Sequence, residues 1–327
     1  MSDKSNNQGR AFEFACLNAL KDSIKKYRNV KIVENSCYQA SLNAWNTLLE
    51  TTKSLYYISA KSIISTLFQL EPLLIEDDND ILKLMIQPDS MGELGDVRDI
   101  LAIRNNIKWE IGFSVKHNHL AVKHSRLSKN LDFGERWYGI NCSENYWNDV
   151  SKIFEYLEKE KNNKTLWREL PDKELDVYVP LLNAFVEEIK RTYKKDENLP
   201  KKMVEYLLGT YDFYKVISID KDQLTQLQTF NMKGTLNKNS KKQKVQITIP
   251  VVNLPTRLVN IELKPGSTNK VELYLDNGWQ FSFRIHNAST IVEPSLKFDI
   301  QIEGMPTSIM SINCLWANVM LDKNNKK

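Results

Sequence analysis

Residues 95–128 read GDVRDILAIRNNIKWEIGFSVKHNHLAVKHSRLS, and the architecture of the chain is best inferred from this stretch. Its two runs rich in apolar residues, 99–104 and 108–116, predict two strands. Asn105 and Asn106 separate the runs, and asparagine tolerates the left-handed backbone that tight hairpin turns need. The stretch therefore predicts an antiparallel hairpin.

The register of this hairpin would bring an acid and a lysine together. A two-residue turn places Asp99 opposite Gly112, and side chains alternate along a strand. Ser114 and Lys116 then share the face of Asp99. Because Gly112 has no side chain, we expect the acid and the lysine to converge beside room for a ligand.

Such a pair suits the hydrolysis of a phosphodiester. A carboxylate can hold Mg²⁺, a hard cation that prefers oxygen ligands. The metal would polarise the phosphate and lower the pKa of a bound water. A nearby lysine can orient or deprotonate that water and offset the phosphate charge. Asp99 and Lys116 are therefore the candidate catalytic residues, although the same pair on a surface hairpin also suits an ordinary structural role.

A metal site usually needs a second carboxylate. Glu110 has the correct parity but lies four residues from Ser114, roughly 13 Å at ~3.3 Å per residue. Glu13 is the better candidate, because it is a lone acid on an otherwise apolar helix predicted over residues 10–27. A buried carboxylate is costly unless it is paired or metal-bound, and an ion pair with Arg10 or partial exposure to solvent is the alternative.

Three segments carry a family resemblance. Residues 95–128 resemble the catalytic segment of PD-(D/E)xK nucleases, and specifically that of HaeIII-type restriction endonucleases. QGRAFEFAC (8–16) and FSFRIHNASTIVEPSLKFDI (281–300) resemble other landmarks of that group. The resemblance covers most of the chain, and it implies an α/β (α+β) fold whose nuclease core is a mixed sheet flanked by helices.

The resemblance also implies an activity and two residue roles. Asp99 corresponds to the motif aspartate and Lys116 to the motif lysine. The implied reaction is Mg²⁺-dependent cleavage of double-stranded DNA, with GGCC as the typical target of the family. A restriction enzyme further implies a cognate DNA methyltransferase as its functional partner, and a palindromic target suits a two-fold homodimer.

The chain departs from the motif at Ser114, since the position two before the lysine is normally Glu or Asp. Either Glu13 supplies the second metal ligand, or the metal uses the Val115 carbonyl and water. Asp96, in the same GDVRD run, is an alternative to Asp99. A non-cutting DNA-binding protein with a degenerate nuclease fold is the competing function.

The basic segment HNHLAVKHSRLS, directly after the motif lysine, predicts contacts with DNA phosphates, which give affinity but not sequence. A zinc site at His117 and His119 would need a third ligand, and a solvated basic loop is the simpler alternative. Guanine is typically read by Arg or Lys, and the C-terminal strands carry such residues. The predicted DNA-binding residues are Asn118, His119, Lys123, His124, Arg126, Arg284, His286 and Asn287.

The chain divides into two regions by its residue patterns. Residues 1–235 read as the PD-(D/E)xK-like catalytic domain, and residues 240–327 as a β-rich region that serves as DNA-recognition module. Apolar alternation predicts strands at 245–249, 271–275 and 279–285. Between the last two, a three-residue loop with a left-handed Gly278 is predicted, because only that length aligns the apolar faces.

Composition excludes several classes of protein. The 327 residues carry a formal net charge of +4, which permits an anionic partner without requiring one. No run of 18 apolar residues predicts a membrane span, and the N-terminal residues lack a signal-peptide core, which favours a cytoplasmic, bacterial location. The four cysteines are scattered and form no CxxC pair, so we expect free thiols.

Overall fold

A computed structural model describes residues 2–93, 95–118 and 121–319. The chain forms two compact units, one of residues 1–119, 210–252 and 307–327 and the other of residues 120–209 and 253–306. The boundary expected near residues 235–240 falls inside the first unit. The nested division replaces it, because each unit is held together by strands that pair over long distances in sequence.

The first unit is built on a seven-stranded mixed sheet. Its helices are Ser2–Ile24 (α1), Ser36–Asn46 (α2), Glu50–Ser62 (α3), Ile64–Leu70 (α4) and Ser90–Glu93 (α5). Its strands are Val30–Val33 (β1), Leu82–Ile86 (β2), Ile100–Arg104 (β3), Trp109–His117 (β4), Phe213–Ile219 (β6), Leu224–Phe230 (β7) and Ser311–Leu315 (β12). The order across the sheet is β1-β2-β3-β4-β6-β7-β12. The β1–β2 and β4–β6 pairs are parallel and the others antiparallel.

Helix α1 covers this sheet because its apolar residues recur at helical spacing. Phe12, Ala15, Cys16 and Ala19 are all buried in the core that they share with the strands. Helix α1 contacts β1, β2 and β4 directly. A mixed sheet flanked by helices is the fold class expected from the sequence, and that expectation is confirmed.

The hairpin of β3 and β4 forms with a longer loop than expected. Arg104 pairs with Trp109 rather than with Ile107, and the loop between them ends at a left-handed Lys108 (φ 50°). The register is thereby moved by two residues. An even shift leaves every side chain on its predicted face, so the expected convergence of acid and lysine survives the error.

The second unit contains a five-stranded sheet and its own helices. The helices are Phe133–Tyr138 (α6), Glu144–Asn162 (α7), Val179–Tyr193 (α8) and Leu199–Leu208 (α9). The strands are Ala121–Ser128 (β5), Leu258–Leu263 (β8), Lys270–Leu275 (β9), Gln280–His286 (β10) and Ser295–Gly304 (β11), in the antiparallel order β5-β11-β10-β9-β8. Buried aromatic side chains pack against one face of this sheet; the rings of Phe133, Trp137, Phe185, Phe283 and Phe298 are in contact.

The turn between β9 and β10 is the three-residue loop predicted from the apolar faces. Leu275 N–H donates to the Trp279 carbonyl at 2.9 Å, Leu273 pairs with Phe281, and Gly278 is left-handed (φ 85°). The strand predicted at residues 245–249 is wrong. There the Ile249 backbone bonds to asparagine side chains, accepting from Asn231 and donating to Asn237, instead of pairing with a strand.

Two further observations concern the whole described chain. Among the described residues, no helix combines the length and apolar character needed to cross a membrane. All four cysteines are free thiols, as expected.

Candidate active site

Asp99 and Lys116 meet at the start of the central hairpin. Asp99 lies directly before β3, where its backbone N–H donates to the Phe113 carbonyl at 2.8 Å. Its Oδ2 accepts hydrogen bonds from Lys116 Nζ at 3.1 Å, from the Val115 backbone N–H at 2.6 Å and from Ser114 Oγ at 3.3 Å. The side chains of Asp99 and Lys116 are 24% and 28% exposed, so the pair can be reached from solvent.

Glu13 on α1 belongs to the same electrostatic site. Its side chain is partly buried and accepts a long hydrogen bond from Ser41 Oγ at 3.5 Å. Burial and then repulsion from Asp99 raise the pKa of Glu13 to about 8, and Lys116 only partly opposes this. Arg10, the alternative partner, instead forms an ion pair with Asp89 at 2.6 Å. Glu13 therefore interacts most strongly with the acid and the lysine of the hairpin.

These two carboxylates fit a hard divalent cation. Asp99 Oδ1 and Glu13 Oε1 accept no hydrogen bond from any residue that the structure describes. A cation shared by them would relieve the repulsion and the desolvation that raise the pKa of Glu13. Mg²⁺ is typically bound by one or two carboxylates together with water and substrate phosphate. Among the described residues, no group of three or more His, Cys, Asp or Glu side chains is placed to hold a metal ion.

Lys116 is held in its charged form. Burial lowers the pKa of its amine, but the charges of Asp99 and Glu13 outweigh burial, and the net pKa lies above the ordinary value. A lysine with a raised pKa is a poor proton acceptor at neutral pH. Its amine is better suited to donating hydrogen bonds and to offsetting negative charge.

Lys215 on β6 is a second lysine beside this site, and sequence reasoning missed it. It pairs with Ser114 on the neighbouring parallel strand, so both side chains lie on one face of the sheet. The residue is only 4% exposed. Burial and then repulsion from Lys116 lower the pKa of its amine to about 7, while Asp99 opposes this. A lone lysine inside the apolar run FYKVISI (213–219) was the available signal, because burying an amine is costly.

Asp96 and Gly112 have other surroundings than expected. Asp96 is buried in a two-pronged ion pair with Arg98, whose Nη2 lies 2.7 Å from Asp96 Oδ2, and Arg98 also bonds Glu110. The side chain of Arg98 fills the room beside Gly112, where an added Cβ would lie 2.0 Å from Arg98 Cδ. The glycine therefore makes room for an arginine of the chain itself, and not for a ligand.

The residues directly after the lysine are tied to the loop after β6. His117 Nε2 lies 2.9 Å from Asp220 Oδ2, and its Nδ1 lies 3.3 Å from the Tyr56 hydroxyl. The Asn118 amide bonds both the side chain and the backbone N–H of Asp220. These contacts fix the end of β4 and occupy the His117 ring. His119, the other half of the zinc hypothesis, lies outside the described residues.

The remaining predicted DNA-binding residues lie in the second unit. Lys123 is engaged by Tyr206, with its Nζ 3.7 Å from the ring centre and 2.8 Å from the carbonyl. Asn287 organises its own loop through bonds to residues 289, 291 and 293. The other four residues lie on the polar face of the five-stranded sheet: His124, Arg126, Arg284 and His286.

Comparisons with known proteins show the family of the chain. The family profile described as HaeIII restriction endonuclease matches residues 9–306. The type II restriction enzyme HaeIII of Haemophilus aegyptius is 54% identical over 317 residues, which cover 97% of this chain and 99% of that protein. No solved structure matches the chain significantly. On these grounds the chain belongs to the HaeIII restriction endonuclease family.

Proposed function

We propose that this protein is a type II restriction endonuclease that cleaves double-stranded DNA at GGCC by Mg²⁺-dependent phosphodiester hydrolysis. The observation that carries the proposal is the hydrogen-bonded pair of Asp99 and Lys116, with Glu13 in the same electrostatic site. The near full-length similarity to a type II restriction enzyme supports it. The GGCC target rests on the family resemblance.

Asp99 and Glu13 would hold the metal, and the Val115 carbonyl is the remaining candidate ligand. When bound, Mg²⁺ polarises the phosphate and lowers the pKa of a coordinated water. Lys116 stays protonated beside Asp99, so it would orient the attacking water and offset the charge that grows on the phosphate. Ser114 donates to Asp99 and thereby helps to hold the carboxylate in place.

Ser114 favours a second candidate function, a DNA-binding protein that does not cut. Serine in the motif position brings no negative charge, and Lys215 beside it adds a positive one. Two observations weigh against a degenerate site. The first is that Asp99 and Lys116 keep a direct hydrogen bond. The second is that Arg10, the nearby cation on α1, forms its ion pair with Asp89, so it does not explain why a carboxylate is partly buried at Glu13. A relocated second carboxylate explains this arrangement better.

The proposal extends to partners. The substrate is double-stranded DNA, which His124, Arg126, Arg284 and His286 would contact from the polar face of the second sheet. A palindromic target would suit a homodimer. A cognate methyltransferase would protect the host genome from a cytoplasmic nuclease without touching it.

The test uses the purified protein and its Lys116→Gln variant on plasmid DNA. Each protein is incubated with Mg²⁺ and with EDTA, and the fragment ends are sequenced. We expect discrete fragments ending at GGCC with Mg²⁺ only, and none from the variant. Intact plasmid in both Mg²⁺ and Mn²⁺, with duplex binding retained in a gel shift, would establish the non-cutting protein instead.

A further inference from the structure

Asp299 on β11 lies at the centre of the most basic part of the second sheet. Its Oδ2 lies 2.6 Å from Arg284 Nη2 on β10, and its Oδ1 lies 3.0 Å from His124 Nδ1 on β5. His286 Nδ1 lies 3.7 Å from the same carboxylate. One carboxylate from the middle strand thus faces basic side chains from both neighbouring strands.

The strand register explains why these residues meet. Asp299 pairs with His124 on one side and with Arg284 on the other. Two residues away on the same face, Lys297 pairs with Arg126 and with His286. Since alternate residues share a face, the two rows form one polar surface, which we call the basic face; it consists of His124, Arg126, Arg284, His286, Lys297 and Asp299.

This face is open and has an excess of basic groups over its one acid. The side chains of Arg284 and His124 are 55% and 42% exposed, whereas Asp299 is only 16% exposed. Lys270 on β9, which pairs with Arg284, forms an ion pair with Glu303 at 3.1 Å. Within the described residues, Asp299 is therefore the carboxylate that faces Arg284, His124 and His286.

We propose that Asp299 stands in for a DNA phosphate on the basic face, and that its competition with real phosphates limits indiscriminate DNA binding. Its two oxygens contact basic side chains on opposite sides, as the two unesterified oxygens of a phosphodiester would. Backbone phosphates must displace it to reach Arg284 and His124. A duplex whose bases add favourable contacts can bear this cost, whereas a duplex that offers only phosphates cannot. This inference rests on the proposed DNA-cleaving function and adds a residue that determines its specificity.

The charge of Asp299 is firmly maintained. Burial alone would raise the pKa of its carboxyl, but the bond from Arg284 and the charges of His286 and His124 hold the pKa below its ordinary value. The residue is therefore ionised at neutral pH. Asp299→Asn removes this charge at nearly constant shape, which makes it the natural test.

The experiment measures binding of two duplexes, one with GGCC and one without, in EDTA so that no cleavage interferes. Asp299→Asn is compared with Glu303→Gln, which removes one negative charge from the same strand, where its ion-pair partner is Lys270. We expect Asp299→Asn to tighten binding of the duplex without GGCC by at least about threefold, because the guanidinium of Arg284 loses its competing carboxylate and becomes available to phosphates. We expect the salt dependence to steepen by about 0.9 for each additional phosphate that the variant neutralises. Glu303→Gln should change both quantities less.

The outcomes separate the competing explanations. Equal effects of the two variants on DNA binding would mean that Asp299 acts only through the net charge of the protein, and would overturn the proposal. Weaker binding of both duplexes by Asp299→Asn, with an unchanged melting temperature, would mean that Asp299 only positions Arg284, and would also overturn it. In an Asp299→Asn, Arg284→Gln double variant the tighter binding should disappear. If the unaltered protein binds neither duplex, the DNA-binding function itself fails.

Discussion

Lys215 lies directly beside Ser114 on the neighbouring strand of the sheet, and its side chain is buried. Ser114 occupies the position at which the nuclease motif normally has a carboxylate. A glutamate at position 114 would pair with this lysine. With serine there, the lysine instead interacts with Asp99 and Lys116. The departure from the motif and the buried lysine are therefore two parts of one arrangement.

We expect Lys215→Met to lower cleavage while the protein stays folded. Methionine keeps an unbranched apolar side chain in the buried position but removes the amine. Cleavage at saturating DNA should fall by at least about tenfold, because the site loses a preorganised polar group beside Asp99. The exposed Lys221→Met, in the loop after β6, is the control and should leave cleavage unchanged. Unchanged cleavage by a folded Lys215→Met protein would show that Lys215 has no part in the reaction.

Glu13 should make stability depend on pH in metal-free buffer. Its pKa is about 8 in the folded protein against an ordinary 4.5. The folded chain therefore holds an extra proton between these values, and the contribution to stability is lost as pH rises from 4.5 through about 8. We expect Glu13→Gln to remove this loss, as measured by thermal unfolding in EDTA from pH 5 to pH 8. Parallel curves for the two proteins would contradict the raised pKa.

Mg²⁺ should stabilise the unaltered protein but not the Glu13 variant. A ligand that binds only the folded state raises its stability by mass action. The melting temperature of the unaltered protein should therefore rise on titration with Mg²⁺ at pH 8, and that of Glu13→Gln should not. An equal rise in both would place the metal away from Glu13.

Asp99→Asn should abolish cleavage while the protein stays folded. The amide keeps the size of the carboxylate but removes the proposed metal ligand and the negative partner of Lys116, so we expect a loss of about a thousandfold or more. The rate of plasmid nicking and a gel shift in EDTA measure cleavage and binding separately. Residual cleavage within about tenfold of the unaltered protein would exclude Asp99 as the central acid.

Asp96→Asn should act on stability instead. Asp96 is buried against Arg98, and breaking a buried pair from one side costs about 3–5 kcal/mol. The control is Glu110→Gln, which removes the other partner of Arg98. Glu110 is 44% exposed, so its loss should cost no more than about 1 kcal/mol. Urea unfolding measures both, and an Asp96 variant that is stable but inactive would reverse the roles of Asp96 and Asp99.

Local sequence patterns were enough to predict the central hairpin and the face of it that carries the candidate residues. Alternation along a strand has a period of two, so a hairpin register that was wrong by two residues still put Ser114 and Lys116 on the predicted face. The loop at residues 276–278 followed from the same parity argument. Glu13 was identifiable because an acid among apolar residues on a helix must be compensated somewhere.

The distant residues that surround these positions became known only from the folded chain. The β4–β6 pairing joins residues that are about a hundred positions apart, and no local pattern reports it, so Lys215 beside Ser114 escaped notice. The division into nested units has the same origin, since β5 pairs with β11, whose residues lie about half the chain away. Asp299 at the centre of the basic face depends on both of its neighbouring strands at once. Local periodicity determines the face that a side chain occupies, whereas the partners on that face are determined by long-range strand pairing.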